Sequence, residues 1–200
     1  AQSETRTTTS VEQVRDRLVE KYGEKLISDL ERQGKLEILE TYDQQGIEGF
    51  YQNGKVTLIA DALTDDSIIP TFLHELGGHG GFQNMMNQEQ YSNLMKQFDD
   101  MVHRGHPVFA EAKRLAERES DPTTQKLEYL PYLLSLASHM QIRNAIQKGA
   151  LKSFISNLIS NVKAWLFDRL GMNINLNQDD MVALAERMIN KSANHTDRKS

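Results

Sequence analysis

The stretch His74-Glu75-Leu76-Gly77-Gly78-His79 decides how this chain is read. Two histidines bracket a glutamate that directly follows the first. This is the residue set of a zinc hydrolase, in which neutral imidazoles hold the metal and a carboxylate activates water. The spacing is one residue longer than the usual H-E-x-x-H. On a regular α-helix, residues four apart lie roughly 40° from each other about the axis, and residues five apart roughly 140°. His74 and His79 therefore cannot face one metal from an undistorted helix. A π-type turn, with its i→i+5 bonding, brings them back to one face. Gly77 and Gly78 lie where such a helix must deform, and Gly80 and Gly81 follow directly. Glycine weakens a helix interior by about 1 kcal/mol relative to alanine, so the cluster needs a reason. A widened metal-binding turn around Leu76 to Gly78 is the expectation. The rival reading is a plain helix C-terminus, ended by the glycines, with His79 near the dipole.

Working outward, Thr64 and Asp65 are placed to cap the helix that carries the motif. Ile68, Ile69, Phe72 and Leu73 form its apolar face, and Pro70 falls near its first turn, where proline is tolerated. Upstream, Gly49-Phe50-Tyr51-Gln52 and Lys55-Val56-Thr57-Leu58-Ile59-Ala60 flank Asn53-Gly54, a strong hairpin signal. Lys35 to Thr41 reads as a further strand, and the three runs predict a small antiparallel sheet. An exposed strand edge beside a metal site can hold an extended peptide by strand addition.

Helices fill the rest. Ser10 with Gln13 makes a capping box for a helix through Val11, Val14, Leu18 and Tyr22, which ends at Gly23; a short one covers Glu24 to Arg32. Asn87 with Gln90 starts a helix buried through Tyr91, Leu94, Met95, Phe98, Met101 and Val102. Another runs from Pro107 to about Glu119. From Thr124 the chain reads as helical to about Gly149, kinked at Pro131. Leu151, Phe154, Ile155, Leu158, Ile159, Val162, Trp165 and Leu166 form an i, i+3, i+4 stripe, and a last helix covers about Asn177 to Ile189. The fold class expected is α+β, mostly α-helical, with a small antiparallel sheet preceding the active-site helix. Residues 1–9 read as linker, 10–190 as one domain, and 191–200 as a polar tail.

Composition narrows the chemistry. The 200 residues carry a formal charge of −5, which disfavours a general nucleic-acid binder. Without cysteine there is no disulfide, no thiolate zinc ligand and no thiol catalysis, so histidine, aspartate and glutamate are the ligand pool. No stretch approaches the roughly 18 apolar residues that span a bilayer. The start, Ala1 to Thr9, is polar and lacks an initiator methionine, which reads as a cut inside a longer protein. The stripe from Leu151 to Leu166 is expected to be core rather than a membrane-surface helix.

A catalytic zinc takes three protein ligands and keeps a position for water. His74 and His79 supply two, and Glu75 is suited to be the general base. Glu128, in Leu127-Glu128-Tyr129-Leu130-Pro131-Tyr132, is the choice for the third, as a carboxylate in a largely apolar helix where burial is costly without a compensating cation. Tyr132, four residues on, can hydrogen-bond a carboxylate or a developing oxyanion. His103 and His106 in His-Arg-Gly-His read as loop residues, with an alternative metal site as the lesser reading. His139 reads as a core histidine, and His195 has no role. Met85 and Met86 either line a groove or fill a core gap.

Ile59-Ala60-Asp61 followed by Phe72-Leu73-His74-Glu75-Leu76-Gly77-Gly78-His79-Gly80-Gly81 resembles a zincin-like, gluzincin-type peptidase domain of large phage, prophage and mobile-element polyproteins. Glu128 to Tyr132 is similar to that family's E-x-x-A-Y-like segment, with Pro131 departing from the small residue expected. Val162 to Asp180 is similar to its later aliphatic, Trp-containing portion. The resemblance covers most of residues 35–190. It implies a Zn2+-dependent metallopeptidase with a glutamate third ligand, a protein or peptide substrate, and possible self-processing of a parent polyprotein or action as a delivered toxin. On that reading it would work in a bacterial or phage cytoplasm, a virion or a target cell, without nucleic-acid or membrane partners. The alternative is a catalytically inactive domain that uses the metal or the fold to hold a protein partner.

Overall fold

The computed structural model describes residues 9–199, so residues 1–8 of the expected linker 1–9 lie outside the described residues, while Thr9 is tied down, donating to the Leu63 and Ala60 carbonyls at 3.2 and 2.9 Å. The internal contacts of the chain divide it after Leu76 into two compact units.

The first unit opens with α1 (Val11–Tyr22). Its capping box is formed as expected: Gln13 N–H donates to Ser10 Oγ at 3.1 Å and Ser10 N–H to Gln13 Oε1 at 2.8 Å. These two bonds use backbone donors that helix geometry leaves without partners. Gly23 ends the helix with φ 97° and starts α2 (Glu24–Arg32). Val14 and Leu18 of α1 and Leu26, Ile27 and Leu30 of α2 are buried, while Arg15 bridges to Glu24 at 2.7 Å and Glu31 at 2.9 Å on the outside.

The strands are β1 (Leu36–Leu39), β2 (Gly49–Gln52) and β3 (Lys55–Ile59), in the order β1-β3-β2. The β2–β3 hairpin turns at Asn53 (φ 55°) and Gly54 (φ 78°), the positive pair that a type I′ turn requires. The sheet is mixed, which corrects the antiparallel expectation: β1 pairs parallel to β3, Leu36 opposite Val56 and Leu39 opposite Ile59. β3 takes the centre because Val56, Thr57, Leu58 and Ile59 are buried on both of its faces. A central strand with a hairpin partner on one side leaves its other edge for the earlier strand. The chain reverses twice between β1 and β3, so that pairing is parallel.

Thr64 caps the 3-10 turn Asp65–Ser67, exchanging hydrogen bonds with Ser67, and α3 (Ile68–Gly77) continues from it. Pro70 is its third residue, where a missing N–H breaks no helical bond. Ile68, Ile69, Phe72, Leu73 and Leu76 are all buried, and Phe72 lies 5.5 Å from the Tyr22 ring.

In the second unit, two short 3-10 turns (Gly78–Gly80 and Phe82–Met85) precede α4 (Gln88–His103), whose Asn87–Gln90 capping box also forms. α5 (Pro107–Ala116) follows. The expected continuous helix from Thr124 to Gly149 is instead α6 (Pro122–Leu127), α7 (Tyr129–Ala137) and the start of α8 (Ala145–Leu170), with an irregular segment before α8. Pro131 is the reason for the first break. It cannot donate the bond back to Leu127, so it sits as the third residue of a new helix rather than as a kink. Asn144 caps α8, accepting from Gln147 N–H at 3.0 Å. α9 (Gln178–Lys199) runs through the segment read as a polar tail.

The core of this unit is aromatic at one end. Phe98 stacks on Tyr129 at 5.0 Å, and Phe109 meets Phe154 edge-on at 5.1 Å. The α8 stripe is core, with Leu151, Phe154, Ile155, Leu158, Val162 and Leu166 all buried. Among the described residues no helix is long and apolar enough to cross a membrane.

Candidate metal centre

The last turn of α3 carries the motif. His74 and Glu75 are only 2 % and 3 % exposed, whereas His79, beyond the helix, is exposed. One ligand atom from each of His74, Glu75 and His79 lies within 4.8 Å of the other two, so the three form a group able to hold a metal ion. Two imidazole nitrogens with a carboxylate oxygen are a donor set suited to zinc and related divalent ions. The setting favours a cation as well. The last carbonyls of a helix carry its negative partial charge, and the motif lies at that end of α3.

The histidines are brought together differently from the expectation. α3 does not widen into a π turn; it stops at Gly77, and the chain tightens into the 3-10 turn Gly78–Gly80. His79 has thereby left the helix, and the 140° separation that an unbroken helix imposes no longer applies.

The surrounding glycines mark close approaches. A Cβ on Gly77 would lie 2.7 Å from Cζ3 of Trp165 and closer still to Cη2, so the indole rests directly against this backbone. Arg169 in turn stacks over the Trp165 ring, 4.8 Å from its centroid. A Cβ on Gly80 would run into the Asn84 amide, and the Gln83 side chain donates to the Gly80 carbonyl. Gly81 has φ 99°, a backbone that favours glycine.

Within the first unit, β2 begins beside the motif. A Cβ on Gly49 would sit 3.4 Å from Glu75 Cγ and 2.7 Å from the Thr57 carbonyl oxygen. β2 is an outer strand of the sheet, so a strand edge starts next to the buried carboxylate. Sequence reasoning missed both Gly49 and Trp165. A glycine opening a β-prone run was the available sign of a close approach at the first; nothing local marked the second.

Glu128 is not one of the three clustered residues. It stands at the junction of α6 and α7, 7 % exposed, its N–H donating to the Thr124 and Gln125 carbonyls at 3.2 Å and its carbonyl accepting from Tyr132 N–H at 3.1 Å. Tyr132 is half-buried, and its phenol is pushed up first by burial and next by the Glu128 charge, against an opposing hydrogen bond from Arg118. The neighbouring Tyr129 donates to Glu117 Oε2 at 3.2 Å; burial, with the Glu117 charge second, pushes it up to about 12.

The other histidines do structural or surface work. His106 lies in the loop before α5, as expected, and is only 2 % exposed. Its Nδ1 accepts from Val108 N–H at 3.3 Å, capping α5, and its Nε2 lies 2.8 Å from the Gln147 carbonyl. His103 is exposed and, contrary to the loop reading, is the last residue of α4, with Nδ1 3.0 Å from the Asp99 carbonyl one turn back. His139 is exposed too, 3.9 Å from Glu186, which corrects the core reading: α7 ends at Ala137, before it. The side chain of His195 lies outside the described residues. Met85 and Met86 are both buried and fill core space.

The chain matches no protein-family model, no curated protein and no solved structure.

Proposed function

We propose that this protein is a zinc-dependent metallopeptidase. The observation that carries the reading is the group His74, Glu75 and His79, with ligand atoms within 4.8 Å of one another at the end of a buried helix. His74 and His79 hold the metal. Glu128 is assigned as the third protein ligand, on the family resemblance and on the burial of its carboxylate. When bound, such a metal lowers the pKa of a water to about 7 and polarises a carbonyl.

The chain's own residues supply the remainder. Glu75 takes a proton from the attacking water as its oxygen bonds to the peptide carbonyl carbon. It then returns a proton to the leaving nitrogen as the C–N bond breaks. Burial of Glu75 keeps bulk water from competing for that proton. Tyr132 offers a phenol O–H to steady a carboxylate or the developing oxyanion. The outer strand β2, which starts at Gly49 against Glu75, offers backbone groups for an extended substrate.

A second reading follows from the same cluster. Glu75 lies close enough to both imidazoles to be a metal ligand itself, and the domain would then hold metal without an activating base. Glu75→Gln separates the two. The peptidase reading expects the Glu75→Gln variant to keep its zinc, by elemental analysis after dialysis, while cleavage of a peptide library drops by about 10²-fold or more, the contribution of a general base. Loss of zinc in Glu75→Gln with retention in Glu128→Gln supports the non-catalytic site. Equal cleavage by wild type and Glu75→Gln rules out the mechanism.

A further inference from the structure

The charges of this acidic chain are unevenly spread. Between Glu128 and Asp168 the sequence contains no aspartate or glutamate, yet it holds Arg143, Lys148, Lys152 and Lys163, in a protein whose formal charge is −5. The fold of the second unit gathers three of these cations around one cleft. The end of α7, the segment joining it to α8, the first turns of α8 and the start of α9 enclose about 480 Å³. Met140, Ile142, Leu151 and Ile155 supply apolar surface there, and Arg143, Lys148 and Lys152 are exposed around it.

None of the three cations takes part in an ion pair among the described residues, and no carboxylate lines the cleft. The nearest acids in sequence on α9, Asp179 and Asp180, lie past Gln178, which among the described residues of α9 is the one that lines it. Asp180 is turned back to accept from Asn177 N–H at 2.9 Å. Like charges crowded on an apolar surface repel one another, and among the described residues no carboxylate lines the cleft to relieve them.

A ligand that satisfies this cleft needs anionic groups for its rim and an apolar side chain for its floor. Inorganic phosphate or nucleic acid supplies only the first. A concave site of this size suits a chain laid into it better than a flat bilayer does. We propose that the cleft docks an acidic polypeptide segment carrying leucine-like side chains, from another protein, in a site separate from the metal-binding motif. The proposal stands whether or not the motif binds zinc.

The test is fluorescence anisotropy of the whole chain with a fluorescein-labelled peptide of alternating glutamate and leucine. Saturable binding that weakens as salt rises is expected, because the rim charges are exposed. The triple variant Arg143→Glu, Lys148→Glu, Lys152→Glu should weaken it at least tenfold while leaving the melting curve unchanged, since all three side chains point to solvent. Lys163→Glu changes the net charge but not the cleft, and should bind like wild type. Equal weakening by Lys163→Glu would show a general charge effect and overturn the proposal. So would a glutamate–serine peptide binding as tightly, or no peptide binding together with sedimentation on phosphatidylserine vesicles, which would make the patch a membrane contact.

Discussion

Replacing Gly77 with alanine sets two effects of opposite sign against each other. Gly77 is the last residue of α3 and its φ is not positive, so alanine is conformationally allowed. By propensity alone the change should stabilise a helix by about 1 kcal/mol. The structure says otherwise, because the new Cβ would lie 2.7 Å from Trp165 Cζ3 and nearer to Cη2. The indole is half-buried and held under Arg169, so it cannot simply rotate away. Overpacking of this kind costs about 1–3 kcal/mol. The expected net is therefore a loss of about 1 kcal/mol, up to 2 if the ring is rigid. Urea unfolding followed by far-UV circular dichroism would read it as a lower midpoint at unchanged slope. Trp165→Leu removes the ring, and in that background Gly77→Ala should turn neutral or stabilising, a coupling of at least about 1 kcal/mol. A Gly77→Ala protein more stable than wild type would refute the packing of Trp165 on the motif.

Other expectations follow from the scaffold. Glu24 is held down to about 2, against an ordinary 4.5, by hydrogen bonds from Arg15 first and Ser28 second. Its stabilising contribution is complete above pH 4.5 and fades as pH falls toward 2, so Glu24→Gln should flatten the acid limb of a stability–pH curve in that window; an unchanged limb would mean the pair is not formed in solution. His106→Ala leaves the buried Val108 N–H without its capping acceptor and removes the contact to the Gln147 carbonyl, and should cost about 1–3 kcal/mol in thermal unfolding. Gly54→Ala forces alanine to the φ of 78° that the hairpin needs, and should cost about 1 kcal/mol or more, with hydrogen exchange speeding first in β2 and β3.

Local chemistry explains what could be read from the sequence. The Asn53-Gly54 hairpin and the capping boxes at Ser10 and Asn87 depend on residues within three or four positions of each other, so their signals are complete in a short window. The mixed sheet depends on which edge of β3 is left open, and the run Val56 to Ile59, buried on both faces, was its only trace. His106 precedes Pro107, an ordinary capping position, but its burial comes from α8, whose first turn supplies the Gln147 carbonyl. His139 was misplaced because the apolar run Leu130 to Leu136 hides where α7 stops. At the site, the residue types and spacing identified His74, Glu75 and His79. The sense of the distortion was not legible, since glycines permit a tightened turn as readily as a widened one.

Trp165 is the chain's single tryptophan, and its indole lies against the backbone between the two histidines of the motif. The protein thus carries a built-in optical probe at the residue where α3 gives way to the 3-10 turn. Emission of a half-buried indole shifts with its exposure to water. Any event that rearranges the turn should therefore appear in intrinsic fluorescence without a label, and stopped-flow mixing with metal can time it directly.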